Sequence, residues 1–217
     1  MSSPRTALVL VDPYNDFLHP EGALTPHLLD LQEKGTVENI RSAVAAARSK
    51  GIPIYYGMHQ QCNEHTFLGW KHMTPNQVKQ KNSQVFKEGS WGAEILQGLE
   101  PDASKGDVVV SRHWNSDSFA NTDLDFQLRQ REITNLVFAG LTANTCLEAS
   151  ARHAYELKDA TAGWSKELTD AATEMIWPLF AQEILKTEEW VKKETAKSVI
   201  YAACFRAAER VLRRDDN

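Results

Sequence analysis

Four side chains able to do chemistry stand at or just beyond the ends of short apolar runs: Asp12 after Ala7-Leu8-Val9-Leu10-Val11, Arg112 and His113 after Val108-Val109-Val110, and Cys146 shortly after Asn135–Ala139. A carboxylate can take the proton of a thiol, return it to a leaving amine and then activate water. A cysteine in the first turn of a helix gains from the partial positive charge there, which favours the thiolate. The same free N–H groups can hold an oxyanion. Arg112 or His113 would balance the negative charges, and only histidine could also move a proton near neutral pH. Each residue alone has a plainer reading. Cys146 could be a packed core thiol, Asp12 a cap of the Pro13-Tyr14-Asn15 turn, and Arg112 or His113 part of a surface loop. Their convergence on one sheet edge carries the chemical reading.

Other reactive residues carry less. His59, Cys62 and His65 are spaced His-x2-Cys-x2-His with His72 nearby, but no Cys-x2-Cys partner exists and the segment is polar, so chance clustering is the reading. No metal and no cofactor are expected. Arg152 and His153 read as a solvated pair.

These residues must be positioned by alternating strands and helices. The run Ala7–Val11 is apolar throughout, as in a strand buried on both faces of a parallel sheet. Further strands are expected at Ile52–Met58, Asp107–Ser111 and Asn135–Ala139. Val37, Ile40, Val44 and Ala47 make one face of a helix that Gly51 ends. Leu124–Gln130 and Ala143–Leu157 also read as helices. The alternation predicts an α/β fold, a doubly wound, mostly parallel sheet sandwiched by helices in three layers. Ligands then bind beyond the carboxyl ends of the strands. Gln60–Gly106 shows little periodicity and reads as a long functional loop, a binding wall or lid.

Composition limits the partners. With 217 residues, 42% hydrophobic and 24% charged, the chain suits one sizeable domain. A net charge of −5 gives no reason to expect nucleic acid or an anionic membrane. No apolar run approaches membrane-spanning length and no leader pattern is visible. Three cysteines, Cys62, Cys146 and Cys204, fit reduced thiols and a cytoplasmic protein. The expected division is a domain over 1–190 and an amphipathic helical extension over 191–217. There Ile200, Ala203, Ala207 and Val211 form an apolar stripe flanked by Arg206, Arg210, Arg213 and Arg214. It reads as a docked or frayed surface helix that could also serve a homo-oligomer.

Ala7–Phe17 (ALVLVDPYNDF), Ser118–Leu124 (SFANTDL), Ala139–Leu147 (AGLTANTCL) and Asp159–Gly163 (DATAG) together resemble the isochorismatase-like cysteine hydrolases over roughly residues 5 to 190. The resemblance implies a catalytic aspartate at Asp12 and a nucleophile at Cys146. It also implies a non-proline cis peptide at Leu141-Thr142 and an oxyanion hole from the N–H groups of Thr142 or Ala143 and of Cys146. Three departures stand out. The family's triad lysine is absent, its place falling on Arg112 or His113 according to the direction of counting. The Asp-x-His pair that binds metal in nicotinamidases is Gly57-Met58-His59 here. The glycine turn and apolar strand expected between Leu157 and Lys158 are missing, which implies a sheet short of one usual strand.

The function expected is hydrolysis of a small amide or related C–N bond through a thioester on Cys146, with Phe17, His59, Trp70 and Trp114 about the substrate. Rival readings are a catalytically silent relative that binds a small molecule or a partner, and an isochorismate-type ether hydrolase. The ether hydrolase would keep its activity when Cys146 is replaced by alanine and lose it in Asp12→Asn.

Overall fold

The computed structural model describes residues 5–152, 155–157 (as backbone), 161–179 and 183–192. The first strand, β1 (Arg5–Val11), lies at the centre of the sheet, and Ala7 to Val11 are fully buried. Successive side chains of a strand point to opposite faces. Leu8 and Leu10 accordingly join one core, while Ala7, Val9 and Val11 join the other. An unbroken apolar run is the sequence such a two-sided strand requires.

After β1 come a short helix α1 (Asn15–Leu18), a long helix α2 (Thr36–Ser49) and strand β2 (Ile54–Gly57). Helix α3 (Pro75–Ser83), strand β3 (Val108–Val109), helix α4 (Leu124–Gln130), strand β4 (Ile133–Gly140) and helix α5 (Cys146–Ala151) follow. The described chain ends with strand β5 (Tyr155–Leu157), helix α6 (Lys166–Asp170), strand β6 (Ile184–Leu185) and helix α7 (Thr187–Lys192). The sheet has six strands in the order β3-β2-β1-β4-β5-β6, and every pairing is parallel. Ile40, Ala43, Val44 and Ala47 of α2 cover one face. Leu124 and Leu128 of α4, Leu147 and Ala151 of α5, and Trp177 cover the other. This is the expected three-layer α/β architecture.

The direction of winding reverses between β1 and β4, and in such folds the crevice beyond the strand ends at that point receives ligands. Val11 pairs with Gly57 on one side and Gly140 on the other. Asp12 therefore leaves the sheet at the reversal.

Two expectations need correction. The stretch Gln60–Gly106 is not a long loop, because it contains α3. That helix has one apolar residue near its middle, Val78, which is largely exposed, so hydrophobic periodicity cannot reveal it. It is held by a capping box, in which Thr74 Oγ1 accepts from the Gln77 N–H and Gln77 Oε1 accepts from the Thr74 N–H. Buried Gln80 adds a hydrogen bond from its side-chain amide to the Gln60 carbonyl.

The second correction concerns the strand expected to be missing. The helix predicted over Ala143–Leu157 spans only Cys146–Ala151, and Tyr155–Leu157 forms β5, paired to β4 through Val137↔Tyr155 and Phe138↔Glu156. Strand β6 then pairs with β5 through Glu156↔Ile184 and Leu157↔Leu185. A vacant place beside β4 would strand backbone donors and acceptors. Giving up helix to fill it satisfies them, so the sheet keeps six strands.

The strands expected at Ile52–Met58 and Asp107–Ser111 are present and shorter, the one expected at Asn135–Ala139 is longer at both ends, and Leu124–Gln130 is helical as expected. Among the described residues no helix is long and apolar enough to cross a membrane. His153, Cys204 and the apolar stripe from Ile200 to Val211 lie outside the described residues.

Gly140 shows how tightly the reversal point is built. Its φ is 121°, and a Cβ there would lie 2.1 Å from the Val11 carbonyl oxygen. Gly140→Ala should lower stability by about 2–4 kcal/mol. Gly35→Ala, also at positive φ but with open space around it, should cost only about 1 kcal/mol. Urea midpoints at constant slope measure both, and equal shifts would contradict the steric argument.

Candidate active site

Asp12 is the first residue past β1. Its N–H donates to the Gly57 carbonyl (2.9 Å), and the next strand continues alongside as the Leu141 N–H donates to the Val11 carbonyl (3.0 Å). Asp12 sits in the left-handed region at φ 51°, which aspartate tolerates better than most residues. Its carboxylate is fully buried. Oδ1 accepts the His59 N–H at 2.5 Å and faces His113 Nε2 at 3.3 Å. Oδ2 has no hydrogen-bond partner among the described residues.

His113 is held from several directions. Its N–H donates to the Met58 carbonyl and its own carbonyl accepts from the Gln60 N–H, which extends the β2–β3 pairing by one bridge. Its ring Nδ1 bonds the Asn115 carbonyl, which can only accept, so Nδ1 carries a proton. Nε2 faces a carboxylate, so a proton there is favoured too. Both contacts favour the protonated ring. Burial pulls its pKa down, but the Asp12 charge and hydrogen bond, the Asn115 carbonyl and the Asp117 charge outweigh it, and the pKa is raised.

His59, whose ring stands edge-on to His113 with centroids 5.1 Å apart, goes the other way. Burial lowers its pKa, the Asp12 charge opposing and the His113 charge assisting. The two imidazoles are shifted in opposite directions. Arg112 lies elsewhere: it is exposed, and its guanidinium stands against the phenol of Tyr14.

Cys146 opens α5 and is buried. Its sulfur, a carboxylate oxygen of Asp12 and a ring nitrogen of His113 all lie within 4.8 Å of one another. Burial, together with the charge of Asp12, pushes the thiol well above its ordinary pKa, against the weaker pull of Thr145 and Ser116. The expectation of a thiolate stabilised by a helix end is thereby corrected. Helix α5 spans only six residues, too few for its end to outweigh burial and a neighbouring carboxylate. At rest the site holds a thiol.

The peptide Leu141-Thr142 is cis. The Ala143 N–H donates to the Ala162 carbonyl at 2.9 Å, so it is not free to hold an oxyanion. The N–H groups of Thr142 and Cys146 have no such partner among the described residues.

Among the described residues, Asp12, His113 and Cys146 are the set whose donor atoms could share an ion. His59, Cys62 and His65 do not gather: Cys62 Sγ donates to the Val85 carbonyl in the core, and exposed His65 lies beside Glu64.

A pocket of about 430 Å³ opens above Cys146. Phe17, His59 and Trp114 line it as expected, whereas Trp70 packs behind Trp114 with ring centroids 5.0 Å apart. Sequence reasoning missed Phe86, Trp164 and the inner face of α3, which carries Lys79 and Gln80. The capping box Thr74-x2-Gln77 was a visible signal for that wall. The residues following Asp12 serve to hold loops. Tyr14 donates its hydroxyl to the His59 carbonyl at 2.6 Å, Asn15 its amide to the Trp91 carbonyl at 2.9 Å, and Asp16 accepts the Phe86 N–H at 2.7 Å.

A family model described as the isochorismatase domain matches residues 6–189. The chain belongs to the isochorismatase family. Two relatives are ureidoacrylate amidohydrolases RutB. That of Agrobacterium fabrum is 30% identical over 190 residues, 82% of this chain and 80% of that protein. That of Methylobacterium radiotolerans is 34% identical over 163 residues, 69% of this chain and 61% of that protein. Among solved structures, a cysteine hydrolase from Pseudomonas syringae pv. phaseolicola superposes with a TM-score of 0.72 at 23% identity, covering 88% of this chain and 93% of that one. N-carbamoylsarcosine amidase from Thermoplasma acidophilum gives 0.59 at 24% identity, covering 85% and 97%. Both likenesses establish the shared fold.

Within this isochorismatase fold, the ring beside the Asp12 carboxylate is that of His113. Its loop is tied down at both ends. Ser111 donates N–H and hydroxyl to Asp123 Oδ1 at 2.7 and 2.8 Å, and the Ser118 N–H donates to Ser150 Oγ on α5 at 2.8 Å. The second tie links the His113 loop to the helix that carries Cys146.

The two histidines should titrate apart. Proton NMR should place His113 above the ordinary imidazole value of about 6.5 and His59 below it. Asp12→Asn should bring His113 down, because burial then acts without the opposing charge. A His113 that titrates below His59 would contradict these opposite shifts.

Proposed function

We propose that this protein is a cysteine amidohydrolase that cleaves a small amide or ureide C–N bond, with Asp12, His113 and Cys146 as its catalytic group. The observation that supports this reading is the buried cluster of an aspartate, a histidine and a cysteine beneath an open pocket. The ureidoacrylate amidohydrolases RutB among its relatives support the same bond class.

As Cys146 sulfur attacks the substrate carbonyl carbon, its proton passes to Asp12, and Oδ2 is the oxygen open to receive it. The N–H groups of Thr142 and Cys146 hold the developing oxyanion. Collapse breaks the C–N bond, and the proton on Asp12 goes to the departing nitrogen as ammonia or an amine. Asp12 then takes a proton from water as its oxygen attacks the thioester. The acid leaves and the sulfur recovers the proton.

Asp12 works as a proton carrier because the thiol starts protonated, as burial dictates. His113 holds the carboxylate by charge and position throughout. It takes the place that a lysine has in the family resemblance, with a cation that can be titrated away near neutral pH. Phe17, His59 and Trp114 surround the substrate. Arg112 serves in this proposal as a surface partner of Tyr14. A cytoplasmic homo-oligomer, with a domain over 1–190 and a helical extension over 191–217, completes the proposal.

Incubation with a panel of primary amides and ureides, followed by mass spectrometry, should show an acyl adduct on Cys146. Cys146→Ala should lower turnover about a thousandfold or more. If no adduct forms and iodoacetamide labels Cys146 no faster than Cys62, the hydrolase reading fails. If Cys146→Ala remains active while Asp12→Asn does not, ether cleavage replaces it.

The pH profile tests His113. Its raised pKa keeps the cation below that value and removes it above, so kcat/KM should fall as pH rises through it. His113→Lys should move that limb to higher pH, because lysine ionises near 10.4. A limb that stays in place would remove His113 from the mechanism.

A further inference from the structure

Lys79 stands on the pocket-facing side of α3, and its ammonium lies over the ring of Trp164 at 5.2 Å from the centroid. Among the described residues lining the pocket it is the single side chain with a permanent charge, and no acidic side chain lines the pocket with it. No carboxylate forms an ion pair with it among the described residues. The other ammonium groups described in contact with charge are compensated: Lys34, Lys105, Lys166 and Lys192 each meet an aspartate or glutamate. Lys79 differs in facing a cavity.

Around it the lining changes character. Phe17, Phe86 and Trp164 form an aromatic wall, with Phe17–Phe86 centroids at 5.0 Å and Phe17–Trp164 at 6.3 Å. Cys146, Thr145 and Ser116 mark the reacting end. A volume of about 430 Å³ lies within the range of small-ligand sites. The pocket thus has a thiol in one part of its lining, a wall of mutually tilted aromatic rings, and an uncompensated cation over the face of one of them.

We propose that Lys79 is a specificity-determining residue that binds an anionic group, a carboxylate, on the substrate. The substrate class is then a short acid whose amide or ureido carbonyl reaches Cys146 while its carboxylate meets Lys79. Trp164 holds the ammonium by its ring face, and its indole limits where the ammonium can move. A carboxylate arriving there forms a charge-assisted hydrogen bond in a partly enclosed site, where it is stronger than in open water. Neutral amides lack that contact. Selectivity for acids follows from one side chain that takes no part in the bond-breaking step.

This inference rests on the amidohydrolase reading for the orientation of the substrate, but its test separates the two. Initial rates of ammonia release are compared for succinamate and its uncharged isostere succinamide. Calorimetry on the Cys146→Ala protein measures binding of the same pair. Succinamate should be preferred both in turnover by wild type and in binding by the Cys146→Ala protein, and adding Lys79→Met to either should reduce that preference about tenfold, with Lys79→Arg retaining most of it. The preference should also weaken with added salt. If wild type shows no preference for the anion, or Lys79→Met leaves the preference intact, the inference is overturned. Hydrolysis without any dependence of selectivity on Lys79 would leave the amidohydrolase reading standing alone. Lys79-dependent binding of succinamate by the Cys146→Ala protein, without turnover by wild type, would keep the anion site and sink the hydrolase.

Discussion

The contact between the Asp12 carboxylate and the His113 ring is the interaction around which the site is organised. Both side chains are out of water, and removing a charge from water costs several kcal/mol per ion unless a partner offsets it. Geometry must therefore be supplied from outside the pair. The His59 N–H and the Asn115 carbonyl bond the two ends of the pair, one on the carboxylate and one on the ring. Those groups are in turn fixed by the bridge of His59 with His113, by Tyr14 on the His59 carbonyl, and by the Gln77 side chain on Asn115. Strand ends, a loop and a helix all converge on one buried pair.

This arrangement places a histidine beside the carboxylate where the family resemblance leads one to expect lysine. A lysine brings a charge that needs little help to persist. A buried histidine would shed its proton, as His59 is driven to do. The surroundings of His113 favour its proton, because one nitrogen faces an acceptor-only carbonyl and the other faces a carboxylate. The same two environments set apart two histidines with ring centroids only 5.1 Å from each other. Environments that push titratable groups apart are how roles become distinct in a site.

The position of the thiol follows from the sheet. Reversal of winding between β1 and β4 places Asp12 and Cys146 on neighbouring chain segments, although 134 positions separate them in sequence. The bond from the Ser118 N–H to Ser150 then links the His113 loop to α5. The shortening of α5 and the pairing of Tyr155–Leu157 beside β4 show which demand prevails when sequence is scarce. Backbone groups at a central sheet edge need partners more than a helix needs extra turns.

The apolar runs of β1 and β4 determined the parallel sheet and its two-sided burial, because only a strand covered on both faces can accommodate such a run. They also determined that Asp12 and Cys146 stand at strand ends, which is where α/β folds bind ligands. Whether Arg112 or His113 would meet Asp12 was decided by tertiary structure. Adjacent residues of an extended segment point to opposite sides, and a one-residue change of register exchanges them. Helix α3 was equally hidden, since its stability comes from a capping box and a buried glutamine rather than from an apolar stripe. The state of the thiol was hidden for a related reason. A pKa depends on burial and on charges brought from distant segments, and local sequence contains neither.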